Sequence, residues 1–236
     1  PITETEKKAV GRYLDWHTGI LLETDGKMGI YRKESGKLIY KEKADSEDGY
    51  LGMYLFLMGK YLEKTESTDL PEYWEKGISL ALKKIQSLMQ DGITKVSEEN
   101  TTVYLMDNLE VWKGLYELEH AGLKDVQAIR EMRNKLQAQI EKIFWDDANQ
   151  RWRIIENSDL YHQKEFYPDG VAQIYPLIYE FPVKEKKKQK ILYEQFTEKF
   201  QWQKLNKKRS GFLWAMTGMA AAQMGDINNL VELIRN

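Results

Sequence analysis

The sequence predicts an all-α protein built from antiparallel helix pairs, and three observations lead there. Apolar residues recur at spacings of three and four along most of the chain, the period of a helix with one buried face. Glycine and proline fall between these stretches, where helices stop or start. Segments that are apolar nearly all round alternate with charged amphipathic ones, the pattern of buried helices covered by a second layer.

A first helix is expected over about residues 4–22, with Ala9, Tyr13, Trp16 and Ile20 at helical spacing. Thr24-Asp25-Gly26-Lys27 reads as a turn, and residues 28–32 and 37–41 flank Glu34-Ser35-Gly36 as a short β-hairpin. Asp45 or Ser46 can cap a second helix that carries Tyr50, Tyr54, Leu57, Met58 and Tyr61 inward. Asp69 and Pro71 open a third, which continues through Ile78, Ala81, Leu82 and Ile85 to about Met89. Residues 91–102 read as a polar loop.

A fourth helix over about residues 105–120 ends at Gly122, and a fifth runs over about residues 124–144. Within the irregular stretch that follows, residues 151–155 read as a short strand. Pro168 starts a sixth helix that ends near Pro182. Residues 184–200 form a basic amphipathic helix whose Lys186-Lys187-Lys188 run is a solvated face. Ser210 or Gly211 opens an apolar helix to Met224, and Gly225-Asp226 precedes a last short one.

Residues 50–61, 105–118, 171–179 and 212–224 are apolar and aromatic; residues 73–90, 125–142 and 184–200 are charged and amphipathic. Repeated pairing of this kind describes an inner layer of buried helices and an outer layer of amphipathic ones, which is an α/α toroid. A tetratricopeptide solenoid would show a period of roughly 34 residues, and none appears. Nothing in the chain reads as a linker, so one domain over residues 1–236 is expected.

Composition narrows the function classes. A formal net charge of −2 lacks the basic excess of a nucleic-acid binder. No apolar run reaches the roughly 20 residues that span a bilayer. Cysteine is absent, which removes disulfides, thiolate metal sites and a cysteine nucleophile. The chain opens at Pro1 without a signal-peptide pattern, which fits a processed protein of the cell envelope or exterior; a cytosolic protein would read the same.

His17, His120 and His162 have no metal-ligand spacing, and no HExxH or glycine-rich phosphate loop occurs. Ser46 and Ser210 lack the G-x-S-x-G elbow of a serine hydrolase. No metal or cofactor is therefore expected. Seven Trp and fourteen Tyr are a heavy aromatic load, and such rings fill cores or line sugar-binding grooves, where pyranose C–H faces stack on them.

Three acidic clusters stand at the starts of the proposed inner helices: Ala44-Asp45-Ser46-Glu47-Asp48-Gly49-Tyr50, Tyr104-Leu105-Met106-Asp107-Asn108-Leu109-Glu110-Val111-Trp112, and Phe166-Tyr167-Pro168-Asp169-Gly170-Val171-Ala172-Gln173. Acids at helix starts ordinarily cap free N–H groups and complement the dipole. If the inner helices run parallel, these ends converge on one face. Glycosidic cleavage needs such a stock: one protonated carboxyl for the leaving oxygen and one carboxylate to activate water or attack the sugar. Crowding also raises the pKa of one member, which keeps an acid protonated near neutrality.

These segments resemble those of the six-hairpin glycosidase superfamily, most closely glycoside hydrolase family 8 and its relatives of bacterial exopolysaccharide systems. The likeness follows most of the chain in order. In that family a Ser-Glu-Gly-x-Gly-Tyr segment supplies the general acid, and Ser46-Glu47-Asp48-Gly49-Tyr50 is similar with one residue missing, so Glu47, Asp45 or Asp48 takes the place. By the same resemblance Asp107 grips the distorted sugar and Tyr167-Pro168-Asp169, with an inserted proline, supplies the base.

The resemblance implies a hydrolase of bacterial polysaccharide in which Glu47, Asp107 and Asp169 are catalytic. Asp45, Asp48, Tyr50, Tyr104, Asn108, Glu110, Trp112, Tyr167, Gln173 and Trp214 then contact the substrate. The chain is shorter than a full ring of this kind, so the toroid expected is an incomplete (α/α)6-barrel-like one. The other readings are a carbohydrate-binding protein that has lost catalysis, a helical interaction scaffold, and a polysaccharide lyase.

Overall fold

Helix starts and stops follow the local chemistry of the sequence in a computed structural model that describes residues 2–67, 70–158, 165–184, 186–204 and 214–235. Helix α1 (Glu4–Glu23) begins on a capping box. Glu6 N donates to Thr3 Oγ1 at 3.3 Å, and Thr3 N donates to Glu6 Oε2 at 2.8 Å, so two orphan donors are satisfied reciprocally. Strands β1 (Gly29–Glu34) and β2 (Lys37–Lys43) form the expected antiparallel hairpin. Ser35 and Gly36 turn it with φ of 49° and 81°, the left-handed pair that a two-residue hairpin turn requires.

Helix α2 (Glu47–Thr65) is capped by Ser46, and α3 (Glu72–Leu88) starts directly after Pro71. Asp69, the expected cap of α3, lies outside the described residues. The stretch read as a featureless polar loop contains a small hairpin, β3 (Met89–Gln90) with β4 (Ile93–Thr94), turned through Asp91 and Gly92 at positive φ. Helices α4 (Leu105–Glu119) and α5 (Gln127–Phe144) follow, the first stopping before Gly122 at φ 78°.

Beyond α5 a strand pair, β5 (Trp145–Asp146) with β6 (Arg151–Trp152), is shorter than the strand expected over residues 151–155. One π-helical turn spans Phe166–Gly170 and contains a cis Tyr167–Pro168 bond, so α6 (Val171–Ile178) starts three residues after Pro168. It also ends before the expected Pro182, because Glu180 turns the chain at φ 56°. Helix α7 (Lys186–Phe200), α8 (Thr217–Met224) and α9 (Ile227–Arg235) complete nine helices among the described residues. The beginning expected for the α8 segment, at Ser210 or Gly211, lies outside them.

Internal contacts group the chain into two units, Pro1–Gln139 and Ile140–Asn236, with the boundary inside α5. In the first unit the core is the α2–α4 pair. An ideal Cβ at Gly52 would stand 2.6 Å from Val111 N, and one at Gly59 would stand 2.6 Å from the carbonyl carbon of Glu117. The register advances in the same sense along both helices, so they run parallel with their backbones in contact. Only glycine permits that approach. Helix α1 is tied to this pair and to α3: Thr18 and Tyr54 hydroxyls meet at 2.9 Å, Trp74 Nε1 donates to Asp15 at 3.0 Å, and Tyr73 bonds the same carboxylate.

Tyr54 and Met58 are buried as expected, whereas Tyr50 is exposed and Leu57 and Tyr61 are half-buried. The α4 face crowded against α2 takes the burial that the sequence pattern spread around the second helix. In the second unit every residue of α6 is buried, and Phe166, Phe196 and Phe200 pack ring against ring. Asp226 caps α9 by accepting from Asn229 N at 3.2 Å and from Tyr193 OH at 2.8 Å.

Candidate active site

Parallel packing of α2 and α4 brings the first two acidic clusters together at the N-terminal end of the pair. Ser46 caps α2 by accepting from Gly49 N at 3.2 Å, and its hydroxyl reaches Asp48 Oδ1 at 3.0 Å. Gly49 is a glycine for a reason visible here: a Cβ would lie 2.6 Å from Glu110 Oε2, 2.7 Å from Ser46 Oγ and 3.6 Å from Asp107 Oδ1. The missing side chain leaves room for the carboxylates of α4 against the first turn of α2.

Asp48 is fully buried and is reached by a residue that the sequence did not single out, Thr94 of β4. Thr94 Oγ1 lies 2.7 Å from Asp48 Oδ2 and 2.9 Å from Asn108 Oδ1. The Asn108 amide is oriented by its other bonds: its oxygen accepts from Thr94 N at 2.8 Å, and its nitrogen donates to the carbonyls of Thr94 and Tyr104, each at 2.9 Å. A hydroxyl has one proton and Asn108 Oδ1 can only accept. Thr94 therefore gives its one proton to a single acceptor at a time, and its hydroxyl bridges the Asp48 carboxyl and the Asn108 amide. Burial raises the Asp48 carboxyl above its ordinary range, against the hydrogen bonds from Thr94 and Ser46, which favour its charged form.

Asp107 is only half-buried, and it too is raised, to about 8. Loss of water is the first cause, followed by the charges of Asp48 and Glu110 and then of Asp45, with Ser46 opposing them. The end of the helix pair therefore holds a sealed carboxyl and a reachable one, both raised above the ordinary range, and the reachable one loses its proton near neutrality. Strongly displaced acids of this kind are concentrated in functional sites.

The other predicted residues are distributed as follows. Asp45 and Tyr50 are exposed beside the cluster, where Tyr50 feels the charges of Asp45 and Glu110. Glu47 directs its carboxylate elsewhere, to Lys43 at 3.3 Å, and lines a separate recess with Lys84, Glu98 and Glu99. Asn108 is buried with its amide fully bonded, so it builds the site and has nothing left for a sugar. Tyr104 caps α4 through its backbone carbonyl, which accepts from Asn108 N at 3.2 Å. Trp112 is a core residue, stacked on Tyr116 and donating to Gln137 at 3.2 Å.

The third acidic cluster belongs to the second unit. Asp169 is buried at the end of the π-helical turn, where Oδ2 accepts from Glu165 N at 3.5 Å. Tyr167 is exposed. Gln173 is a structural residue: its amide pairs with both backbone groups of Trp152, each at 2.9 Å, and so extends the β6 edge. The Trp214 side chain and His162 lie outside the described residues. Among the described residues no group of three or more His, Asp or Glu is arranged to hold a metal ion, and no helix is long and apolar enough to cross a membrane.

The fold is of the α/α-toroid class that the helix pairing predicts. Among solved structures the chain is similar to a rhamnosidase from Klebsiella oxytoca with rhamnose bound, at a TM-score of 0.58 and 10% sequence identity over 90% of this chain. The chain spans 41% of the length of that rhamnosidase. At this identity the likeness is one of fold. No protein-family model and no curated protein sequence matches the chain.

Proposed function

We propose that the protein is a glycoside hydrolase acting on a bacterial polysaccharide or exopolysaccharide, with Asp107 as the proton donor to the leaving oxygen. The observation that carries this reading is the reachable carboxyl of Asp107, raised to about 8 by burial and by three neighbouring acids. An acid that keeps its proton at neutrality and can approach substrate is what protonation of a glycosidic oxygen requires. Asp48, sealed beneath it and bonded through Thr94, holds the cluster in place without touching substrate. Glu110 supplies a second carboxylate next to the same point on α2.

This assignment moves the acid role from Glu47, whose carboxylate is occupied by Lys43, to Asp107. An extracellular or envelope location is kept as part of the proposal, and the base role that the sequence resemblance implies for Asp169 is put to the same test. A carbohydrate-binding protein without catalysis would share the rings and the acids, but replacing one carboxyl by an amide would change no rate in it.

The test is reducing-end release from a panel of bacterial exopolysaccharides by wild type, Asp107→Asn, Glu47→Gln and Asp169→Asn. Asp107→Asn is expected to lower kcat by about 10² to 10⁴, the usual worth of a positioned acid. Glu47→Gln is expected to stay within about threefold of wild type, because its carboxylate faces a different recess. Wild-type kcat/KM is expected to fall as pH rises past about 8, when Asp107 loses its proton. Equal rates for wild type and Asp107→Asn end the proposal.

A further inference from the structure

Five aromatic rings run across the first unit from the hairpin to the carboxylate cluster. Tyr40 meets Tyr31 edge-on at 5.7 Å, Tyr31 meets Trp16 at 5.9 Å, and Trp16 meets Tyr13 at 5.4 Å. Tyr13 packs on His17, which packs on Tyr54 one turn along α2 from Tyr50, and Tyr50 directly follows Gly49, beside which the Glu110 carboxylate lies. Tyr40, Tyr13 and Tyr50 remain 55%, 47% and 39% exposed, whereas Trp16 and Tyr31, which link Tyr40 to Tyr13, are half-buried. These are not core rings that happen to show an edge.

The backbone makes room for the outermost one. A Cβ at Gly29 would stand 2.6 Å from Cε2 of Tyr40, so the ring lies across the start of β1 where only glycine admits it. His17 braces the inner side, with its ring 5.1 Å from Tyr54 and 5.6 Å from Tyr13. Rings fixed by edge-to-face contacts pay little conformational entropy when a ligand stacks on them. Tyrosine presents both an apolar face for C–H groups and a hydroxyl for sugar hydroxyls, a combination that suits a glycan better than an aliphatic partner surface.

We infer that Tyr40, Tyr31, Trp16, Tyr13 and Tyr50 form a stacking track for a glycan chain several sugars long, which it delivers to the acids at the start of α2 and α4. The inference rests on the hydrolase reading for its direction and goes beyond it by assigning the residues that bind the polymer away from the acids, with the hairpin as the outer contact. A track of this length favours long chains over short ones, because each further sugar adds a stacked ring. The exposed hairpin, isolated from any larger sheet, has its role here.

The test is affinity electrophoresis of the full chain, carrying Asp107→Asn so that the polymer survives, in gels containing hydroxyethylcellulose, glycol chitosan, polygalacturonate or xanthan. At least one polymer is expected to retard it. Tyr13→Ala and Tyr40→Ala, both at exposed positions, are each expected to weaken that retention about three- to tenfold, and Tyr40→Trp to restore it. Retention by none of the polymers, or equal retention of the ring variants, overturns the track. So does a ring-dependent change in sedimentation without glycan, which would make the rings a contact between copies. The two readings fail separately. Ring-dependent retention with unaltered hydrolysis by Asp107→Asn leaves the track and removes the acid assignment. Loss of hydrolysis in Asp107→Asn with unchanged polymer KM in the ring variants does the reverse.

Discussion

The two ends of the α2–α4 pair bury charge in opposite ways. Toward its C-terminal half, Glu117 is nearly sealed, and two lysines meet it: Lys113 at 2.7 Å from the same helix and Lys60 at 2.8 Å from α2. At its N-terminal end Asp48 is sealed and Asp107 half-sealed, and what presses on Asp107 besides burial is other acids. The first arrangement compensates each buried charge with an opposite one. The second has no opposite charge, and burial and like charge raise Asp107 to about 8. A cluster of uncompensated acids lowers stability, and arrangements of this kind are concentrated at functional sites.

Breaking the compensated end carries the largest expected effect. Glu117→Gln leaves Lys113 buried opposite a neutral amide, and removal of one partner from a buried pair costs about 3–5 kcal/mol. Urea unfolding is expected to show that loss with little change in the slope. A loss below about 1 kcal/mol would mean that the lysines reach water and the two ends do not differ as described.

Next comes the seam between the ends. Gly52→Ala places a methyl 2.6 Å from Val111 N and 2.7 Å from the carbonyl carbon of Glu110. Both are helix backbone, which cannot turn aside as a side chain can. The pair must separate, at about 3 kcal/mol, the upper part of the overpacking range. Because the seam positions the carboxylates, the same substitution is expected to lower activity in the fraction that stays folded. A variant as stable as wild type would mean that the helices tolerate a wider spacing.

The sequence displayed the helices, their order and the hairpin, because apolar spacing and turn residues act locally. Ser46 as a cap and Gly36 in the hairpin turn were legible for the same reason. The alternation of apolar and amphipathic helices also gave the parallel inner pair, and with it the meeting of Asp48 and Asp107. Thr94 was not legible. It comes from a two-residue strand inside an apparent loop, and nothing local distinguishes a threonine that bonds a distant acid from one that faces water.

Roles within the clusters were equally hidden. Glu47 and Asp48 are neighbours in the chain, yet one helical step of about 100° sends the first toward Lys43 and the second under Asp107. Asn108 and Gln173 looked like sugar ligands because their amides suit hydroxyls. Both amides instead match backbone groups that were out of sight in the sequence.

The smallest effect is the one that ties the acid end to pH. Asp107 has an ordinary carboxyl value of 3.8 when the chain is unfolded and about 8 when folded. Between those values the folded protein holds a proton that the unfolded chain has released, so raising the pH through this window lowers stability. Below 3.8 both states are protonated and the difference vanishes; above about 8 both are ionised and the full penalty applies. Asp107→Asn removes the penalty, since an amide is neutral throughout. The variant is expected to match wild type near pH 4 and to exceed it above pH 8 by at least about 1 kcal/mol, or roughly 2–4 °C in Tm. Glu117→Gln is expected to run parallel to wild type across the same window, because it keeps Asp107. Two parallel curves for Asp107→Asn and wild type would show that Asp107 ionises freely in the folded protein, and the contrast between the ends would then lie in geometry alone.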